Sequence, residues 1–235
     1  MLGAITDRLV ADLEPLEFRA PVTHVYNPLR YARAAFDAYV ERYARVDVEA
    51  ILLGMNPGPW GMAQTGIPFG DPTAVREWLG IRASIGKPAC EHPKRPVRGI
   101  ESPRTEVSGA RLWGWARDVF ETPQRFFARF FVANYCPLAF LEASGRNLTP
   151  DHLEQDERRR LQAICDRALL ETVTRLRPKI VVGVGAFAEA RARQALAAHG
   201  VAVGRIPHPS PASPVANRGW AELATAGLRE LGLRL

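Results

Sequence analysis

The sequence predicts an α/β protein: a single domain over residues 1–235, built on a central four-stranded parallel sheet flanked by helices on both faces. Three observations lead there. Four short apolar runs, 49–53, 130–133, 180–184 and 201–206, read as strands. They alternate with longer segments of helical spacing, the order that gives parallel strands joined by helical crossovers. No repeat, low-complexity tract or linker divides the chain, and 235 residues suffice for one substantial core.

Taken in order, residues 1–27 form an N-terminal helical extension. Asn27-Pro28 then opens a helix, because a capping side chain followed by proline suits the first helical turn, and 29–43 has helical apolar spacing. Asp71-Pro72, Thr122-Pro123, Thr149-Pro150 and Ser213-Pro214 repeat that signal, and 161–176 is a further helix. Residues 80–108 are proline-rich and basic without a clear period. Such a stretch reads either as a solvated loop or as a surface for an anionic partner, through Lys87, Lys94, Arg95, Arg98 and Arg104.

The segment that stands out follows the first strand: Gly54-Met55-Asn56-Pro57-Gly58-Pro59-Trp60-Gly61-Met62-Ala63-Gln64-Thr65-Gly66-Ile67-Pro68-Phe69-Gly70. Its glycines let backbone amides approach a ligand, its prolines restrict motion, and open α/β sheets bind ligands at the carboxyl ends of their strands. The loops after the first, second and fourth strands place Asn56, Asn134 and His208 at one edge of the sheet. Each has a plainer reading too: Asn56 as a turn residue, Asn134 as a strand-end cap, His208 as a loop histidine and Phe69 as core.

The net charge of +6 and pI near 9.6 favour an anionic partner, with nucleic acid first among them. Cys90, Cys136 and Cys165 are widely spaced and odd in number. They point to a reducing compartment, and against a disulfide framework or a four-cysteine iron–sulfur cluster. The five histidines show no ligand spacing, so no metal and no cofactor are expected. Without a signal-peptide pattern or a bilayer-length apolar run, the expectation is an intracellular monomer away from membranes, in the cytoplasm and nucleoid of a bacterium or the nucleus of a eukaryote.

Six stretches together carry a resemblance. They are the Gly54 loop, Glu91-His92-Pro93-Lys94-Arg95-Pro96, Glu106-Val107-Ser108-Gly109-Ala110-Arg111, Asn134-Tyr135-Cys136-Pro137-Leu138, Ser144-Gly145-Arg146-Asn147-Leu148-Thr149-Pro150, and the run Pro207-His208-Pro209-Ser210-Pro211-Ala212-Ser213-Pro214 continuing to Trp220. From about Tyr31 onward, and in order, the chain resembles the single-strand-selective monofunctional uracil-DNA glycosylase family within the uracil-DNA glycosylase superfamily.

The resemblance implies a uracil-DNA glycosylase-like fold and a role for each motif. Asn56 positions the attacking water through its carbonyl oxygen, and His208 donates to uracil O2 as charge develops on the leaving group. Phe69 stacks on the flipped base, and Asn134 pairs with its N3–H and O4, an arrangement cytosine cannot satisfy. Met55, Gly58 and Met62 shape the space near the 5-position, admitting 5-hydroxymethyluracil. Ser210, Pro211, Ala212 and Ser213 form a wedge with a short apex at Ala212, while Ser144, Gly145, Arg146, Asn147, Leu148 and Thr149 form a second DNA-contacting loop. The implied activity is hydrolysis of deoxyuridine in single- and double-stranded DNA to an abasic site, the first step of base excision repair. The motifs hold no lysine nucleophile, so lyase chemistry is not expected. Two alternatives stay open: a relative preferring hypoxanthine or xanthine, and a catalytically silent nucleic-acid-binding protein.

Overall fold

A computed structural model of the chain describes residues 2–235. The elements in chain order begin with α1 (Gly3–Leu13), β1 (Val22–Tyr26), α2 (Pro28–Tyr31), α3 (Arg33–Tyr43), β2 (Ala50–Gly54), α4 (Met62–Thr65) and α5 (Pro72–Glu77). Next come α6 (Val107–Phe120), α7 (Pro123–Phe127), β3 (Phe130–Asn134), β4 (Ala139–Glu142) and β5 (Asn147–Leu148). The chain finishes with α8 (Gln155–Leu176), β6 (Ile180–Val184), α9 (Ala186–Leu196), β7 (Ala202–Ile206) and α10 (Trp220–Glu230).

The main sheet has the order β3-β2-β6-β7 with every pair parallel. Each residue of β2 and β6 is buried, so both faces are covered and neither strand alternates. That is why these runs read as continuous apolar stretches. From β2 the chain passes to β3 on one side, then crosses to β6 on the other. The carboxyl ends of β2 and its neighbours therefore border the crevice at which such sheets bind ligands.

Four features depart from the sequence expectations. The helix expected over 29–43 breaks at Ala32, where the Tyr31 carbonyl accepts the Gly86 N–H at 2.8 Å and the Tyr31 hydroxyl reaches the Ala63 carbonyl. The N-terminal 27 residues are not solely helical, since β1 pairs antiparallel with β4, which pairs with β5 in a second, three-stranded sheet. The helix expected over 161–176 starts six residues earlier, at Gln155. Two of the capping signals open no α-helix: Thr149-Pro150 gives only the 3-10 segment Pro150–His152, and Ser213-Pro214 gives turns and the 3-10 segment Ala216–Arg218, the next helix waiting until Trp220, after Gly219 at φ +137°.

Residues 80–108 do not hang free. His92 is buried, and its N–H donates to the Tyr26 hydroxyl at 2.6 Å, which donates in turn to the Arg95 carbonyl at 2.9 Å. The buried Gln64 accepts from the Arg98 N–H at 2.7 Å and donates to the Pro96 carbonyl at 3.1 Å. The segment thus forms a fixed wall beside the Gly54 loop.

Candidate active site

At the carboxyl edge of the sheet an open cleft of about 440 Å³ is lined by Met55, Asn56, Gly58, Met62, Phe69, Asn134 and His208, together with Asn147, Thr149, Ser210, Ala212 and Ser213. Loops separated by up to about 150 residues in sequence thus meet in one place. Ser144, Gly145, Arg146, Leu148 and Pro211 lie outside the lining. Ser144, Arg146 and Pro211 are exposed, whereas Leu148 belongs to the core and Gly145 is buried beside Lys94 and His92. The last two are packed against the protein at and just after the β4–β5 turn. Glu106 and Ser108 also line the cleft, although sequence reasoning gave them no role.

Asn56 lies two residues past the end of β2. Its amide nitrogen donates to the Leu138 carbonyl at 3.2 Å, which fixes the side chain and leaves its oxygen as an acceptor. The β2–β3 ladder continues past the strand ends, with Tyr135 N–H donating to the Gly54 carbonyl and Cys136 N–H to that of Met55, both at 2.9 Å. Asn56 and Asn134 consequently stand on one continuous, rigid backbone.

Asn134 is the register partner of Gly54, and its amide nitrogen lies 3.2 Å from the Met62 sulfur. Phe69 has φ +53°, which is uncommon for a residue with a side chain. Its carbonyl holds it there, accepting from Asp71 N–H at 2.7 Å and from the Trp113 indole at 3.0 Å. A Cβ on Gly109 would stand 1.9 Å from that carbonyl, so α6 can approach only with glycine at this position. The Phe69 ring lies 5.9 Å from the His208 ring, centroid to centroid, at 38°.

His208 occupies a loop tied down on both flanks. Trp220 donates to the Pro207 carbonyl at 2.7 Å, and Arg111 donates to the Pro209 carbonyl at 3.0 Å and to Asn217 at 2.8 Å. The Ser210 N–H donates to His208 Nδ1 at 3.0 Å. A ring nitrogen that accepts carries no proton, so the neutral imidazole bears its hydrogen on Nε2. Burial favours this neutral form, lowering the histidine from its ordinary 6.5 to about 4.

Glu106 caps α6 by accepting from the N–H groups of Ser108 and Gly109, and its side chain packs against Gly58 and Gly61. Burial raises its carboxyl above the ordinary range, opposed by those hydrogen bonds. Among the described residues, no group of three or more His, Cys, Asp or Glu could hold a metal ion, and no helix is long and apolar enough to cross a membrane.

A parallel-sheet cleft furnished with amide, aromatic and imidazole groups, and no acidic cluster, suits recognition of a flat, uncharged base. The Uracil DNA glycosylase superfamily matches residues 41–225. The chain is 53% identical over 228 residues to the single-strand selective monofunctional uracil-DNA glycosylase of Rattus norvegicus, covering 96% of this chain and 82% of that one. It is 52% identical to the corresponding Mus musculus protein with the same coverage, and 50% identical to that of Bos taurus, covering 96% and 84%. The chain belongs to the single-strand selective monofunctional uracil-DNA glycosylase family. The fold is also similar to the crystal structure of wild-type SMUG2 from Pedobacter heparinus, with TM-score 0.67 over 97% of this chain and 98% of that one at 16% identity.

Proposed function

We propose that this protein is a monofunctional DNA glycosylase that hydrolyses the N-glycosidic bond of deoxyuridine and leaves an abasic site. Family membership supports the activity, and one observation carries the mechanism: Ser210 N–H occupies His208 Nδ1, making Nε2–H the donor available to a base in the cleft. As the C1′–N1 bond breaks, the electron pair moves onto uracil, and the Nε2–H hydrogen bond to O2 strengthens with the developing charge. The Asn56 oxygen accepts from the water that adds to C1′, and that water's proton ends on the uracil. A weak activator suffices, because the bond is largely broken before water attacks.

Phe69 supplies the stacking face, and Asn134 reads N3–H and O4. Met55, Gly58 and Met62 border the 5-position and leave room for 5-hydroxymethyluracil. Ala212 is exposed at the apex of its loop. Its methyl group fills a vacated base stack poorly, which supports action on single strands more readily than on duplexes. DNA is the substrate, and the protein acts on it as a monomer.

The testing experiment measures excision from oligonucleotides carrying uracil, 5-hydroxymethyluracil, hypoxanthine or xanthine, in excess EDTA. Uracil and 5-hydroxymethyluracil should be released. Release of hypoxanthine or xanthine alone would favour the relative with another base preference. No release at all would leave a silent binding protein.

A pH prediction follows from His208. An exposed histidine titrates near 6.5, whereas this one stays neutral down to about 4. Single-turnover excision should therefore show no acid limb at 6.5 and should fall only as pH approaches 4. The same shift affects stability. Between 6.5 and 4 the unfolded chain binds a proton that the folded one refuses, so His208's contribution is complete above 6.5 and is lost as pH falls toward 4. A limb at 6.5 in the wild type that vanishes in His208→Gln would overturn the neutral-donor assignment.

A further inference from the structure

Trp60 lies in the rigid Gly54 loop, two residues past the cleft-lining Gly58, and has no part in the mechanism above. The Arg95 guanidinium carbon stands 5.1 Å from its ring centroid and that of Arg104 stands 5.2 Å away. Nearby cations elsewhere are neutralised, Arg76 by Glu77 and Lys87 by Glu91. Among the described residues, neither Arg95 nor Arg104 has a carboxylate partner. The acids nearest in sequence are spent elsewhere: Glu91 accepts from Lys87 and the Val97 N–H, and Glu106 accepts from the N–H groups of Ser108 and Gly109. Arg95 Nε is moreover buried without any hydrogen-bond partner, a costly state for a charged donor.

We propose that Trp60, Arg95 and Arg104 form a phosphodiester clamp on the rim of the cleft, which holds a backbone phosphate of the substrate strand beside the flipped nucleotide. The proposal rests on the DNA-substrate reading above. Stacking on an indole holds a guanidinium in place: Arg95 spends one Nη1 hydrogen on the Lys94 carbonyl at 2.9 Å and keeps Nη2 for a phosphate oxygen, while the exposed Arg104 can grip a phosphate with two parallel hydrogen bonds. Two like charges sharing one ring repel each other, and an anion between them relieves that repulsion. The clamp is prepared in advance. Gln64 donates to the Pro59 carbonyl at 3.0 Å, and the Arg95 carbonyl accepts from Tyr26.

The position fits a strand that runs across the cleft mouth. Arg95 lies against the β4–β5 turn, its guanidinium carbon 3.6 Å from where a Cβ on Gly145 would stand, while Asn147 beyond that turn lines the cleft. Arg104 is two residues from Glu106, which lines it as well. The loop of Ser210, Ala212 and Ser213 borders the same cleft from the end of β7. The strand would thus be held by two separate groups, with the flipped base between them.

The test measures the affinity of wild type, Arg95→Gln, Arg104→Gln and Trp60→Leu for a short uracil-free single strand as salt is varied. Each arginine variant should bind roughly three- to tenfold more weakly, with the slope of log affinity against log salt reduced by about 0.7 for the lost phosphate contact. Trp60→Leu should weaken binding in the same direction by freeing both guanidiniums. Arg175→Gln, an exposed arginine at the far end of α8, should change neither quantity. A scan of single methylphosphonate linkages around a deoxyuridine then locates the phosphate: one neutral linkage should weaken the wild type but cost Arg104→Gln nothing further. Unchanged affinities, weaker binding at an unchanged salt slope, or equal methylphosphonate costs in wild type and variant at every linkage would each overturn the clamp. Because the first measurement uses DNA without uracil, it stands or falls independently of base excision, which the oligonucleotide panel tests.

Discussion

His208→Ala should lower single-turnover uracil excision by roughly two to three orders of magnitude while leaving single-strand affinity within a fewfold of wild type. The magnitude follows from what is removed. A neutral imidazole with its proton fixed on Nε2 by the Ser210 N–H is a donor that need not reorganise as charge develops on uracil O2. Losing one such preorganised donor costs about 2.7–4 kcal/mol of transition-state stabilisation. Little of that loss should appear in binding, since the uncharged base of the ground state asks less of the donor than the departing anion does. Asn56→Ala should also damage turnover more than affinity, because its oxygen is assigned to the attacking water and not to the DNA. Single-turnover rates near wild type for His208→Ala would remove the histidine from the transition state. An equal loss in affinity and rate would recast it as a binding group.

The main sheet was legible because its two central strands are buried on both faces, so β2 and β6 appear as unbroken apolar runs with glycine at or near their ends. Capping chemistry was legible where the side chain does cap: Asp71 accepts from the Ala74 N–H and Thr122 from the Arg125 N–H. It misled at Ser213, whose hydroxyl reaches the Ala216 N–H at 3.4 Å but caps only a turn. The three-stranded sheet could not be read, since β5 has two residues and β1 finds its partner only through long-range pairing with β4, across a register irregularity. In the site, the sheet order brought Asn56, Asn134 and His208 to one edge, as their positions just past β2, at the end of β3 and just past β7 imply. Contacts between distant residues were out of reach. The Asn134–Met62 pair spans 72 residues, and the proton position on His208 depends on a backbone N–H that turns back two residues later. Glu106 was within view as part of a recognised motif, but its place in the cleft wall depends on close packing against two glycines.

Gly54→Ala should reduce uracil excision by roughly a hundredfold, although it adds one methyl group to a residue that touches no substrate. A Cβ built on Gly54 stands 2.3 Å from the Asn134 side-chain oxygen and 2.6 Å from the nearest carbon of the Phe69 ring. Both groups lie far inside contact distance, so something has to shift. The backbone cannot give way easily, because Gly54 is in register with Asn134 on β3 and its carbonyl accepts from Tyr135 N–H. Nor can Phe69 retreat as a unit, since Trp113 and the Asp71 N–H hold its carbonyl and Gly109 closes off the space behind it. The strain therefore falls on the Asn134 amide and the Phe69 ring, the two groups assigned to hold the base. A displacement of about 1 Å in positioning groups is enough for a hundredfold loss. Overpacking of this kind costs typically 1–3 kcal/mol of stability, so the folded fraction must be checked alongside the rate. Gly3→Ala is the matched control, as a Cβ there meets nothing within 4 Å in helix α1. A Gly54→Ala protein that is folded and excises uracil within about threefold of wild type would show that Asn134 and Phe69 can move without harm, and would remove both from base recognition.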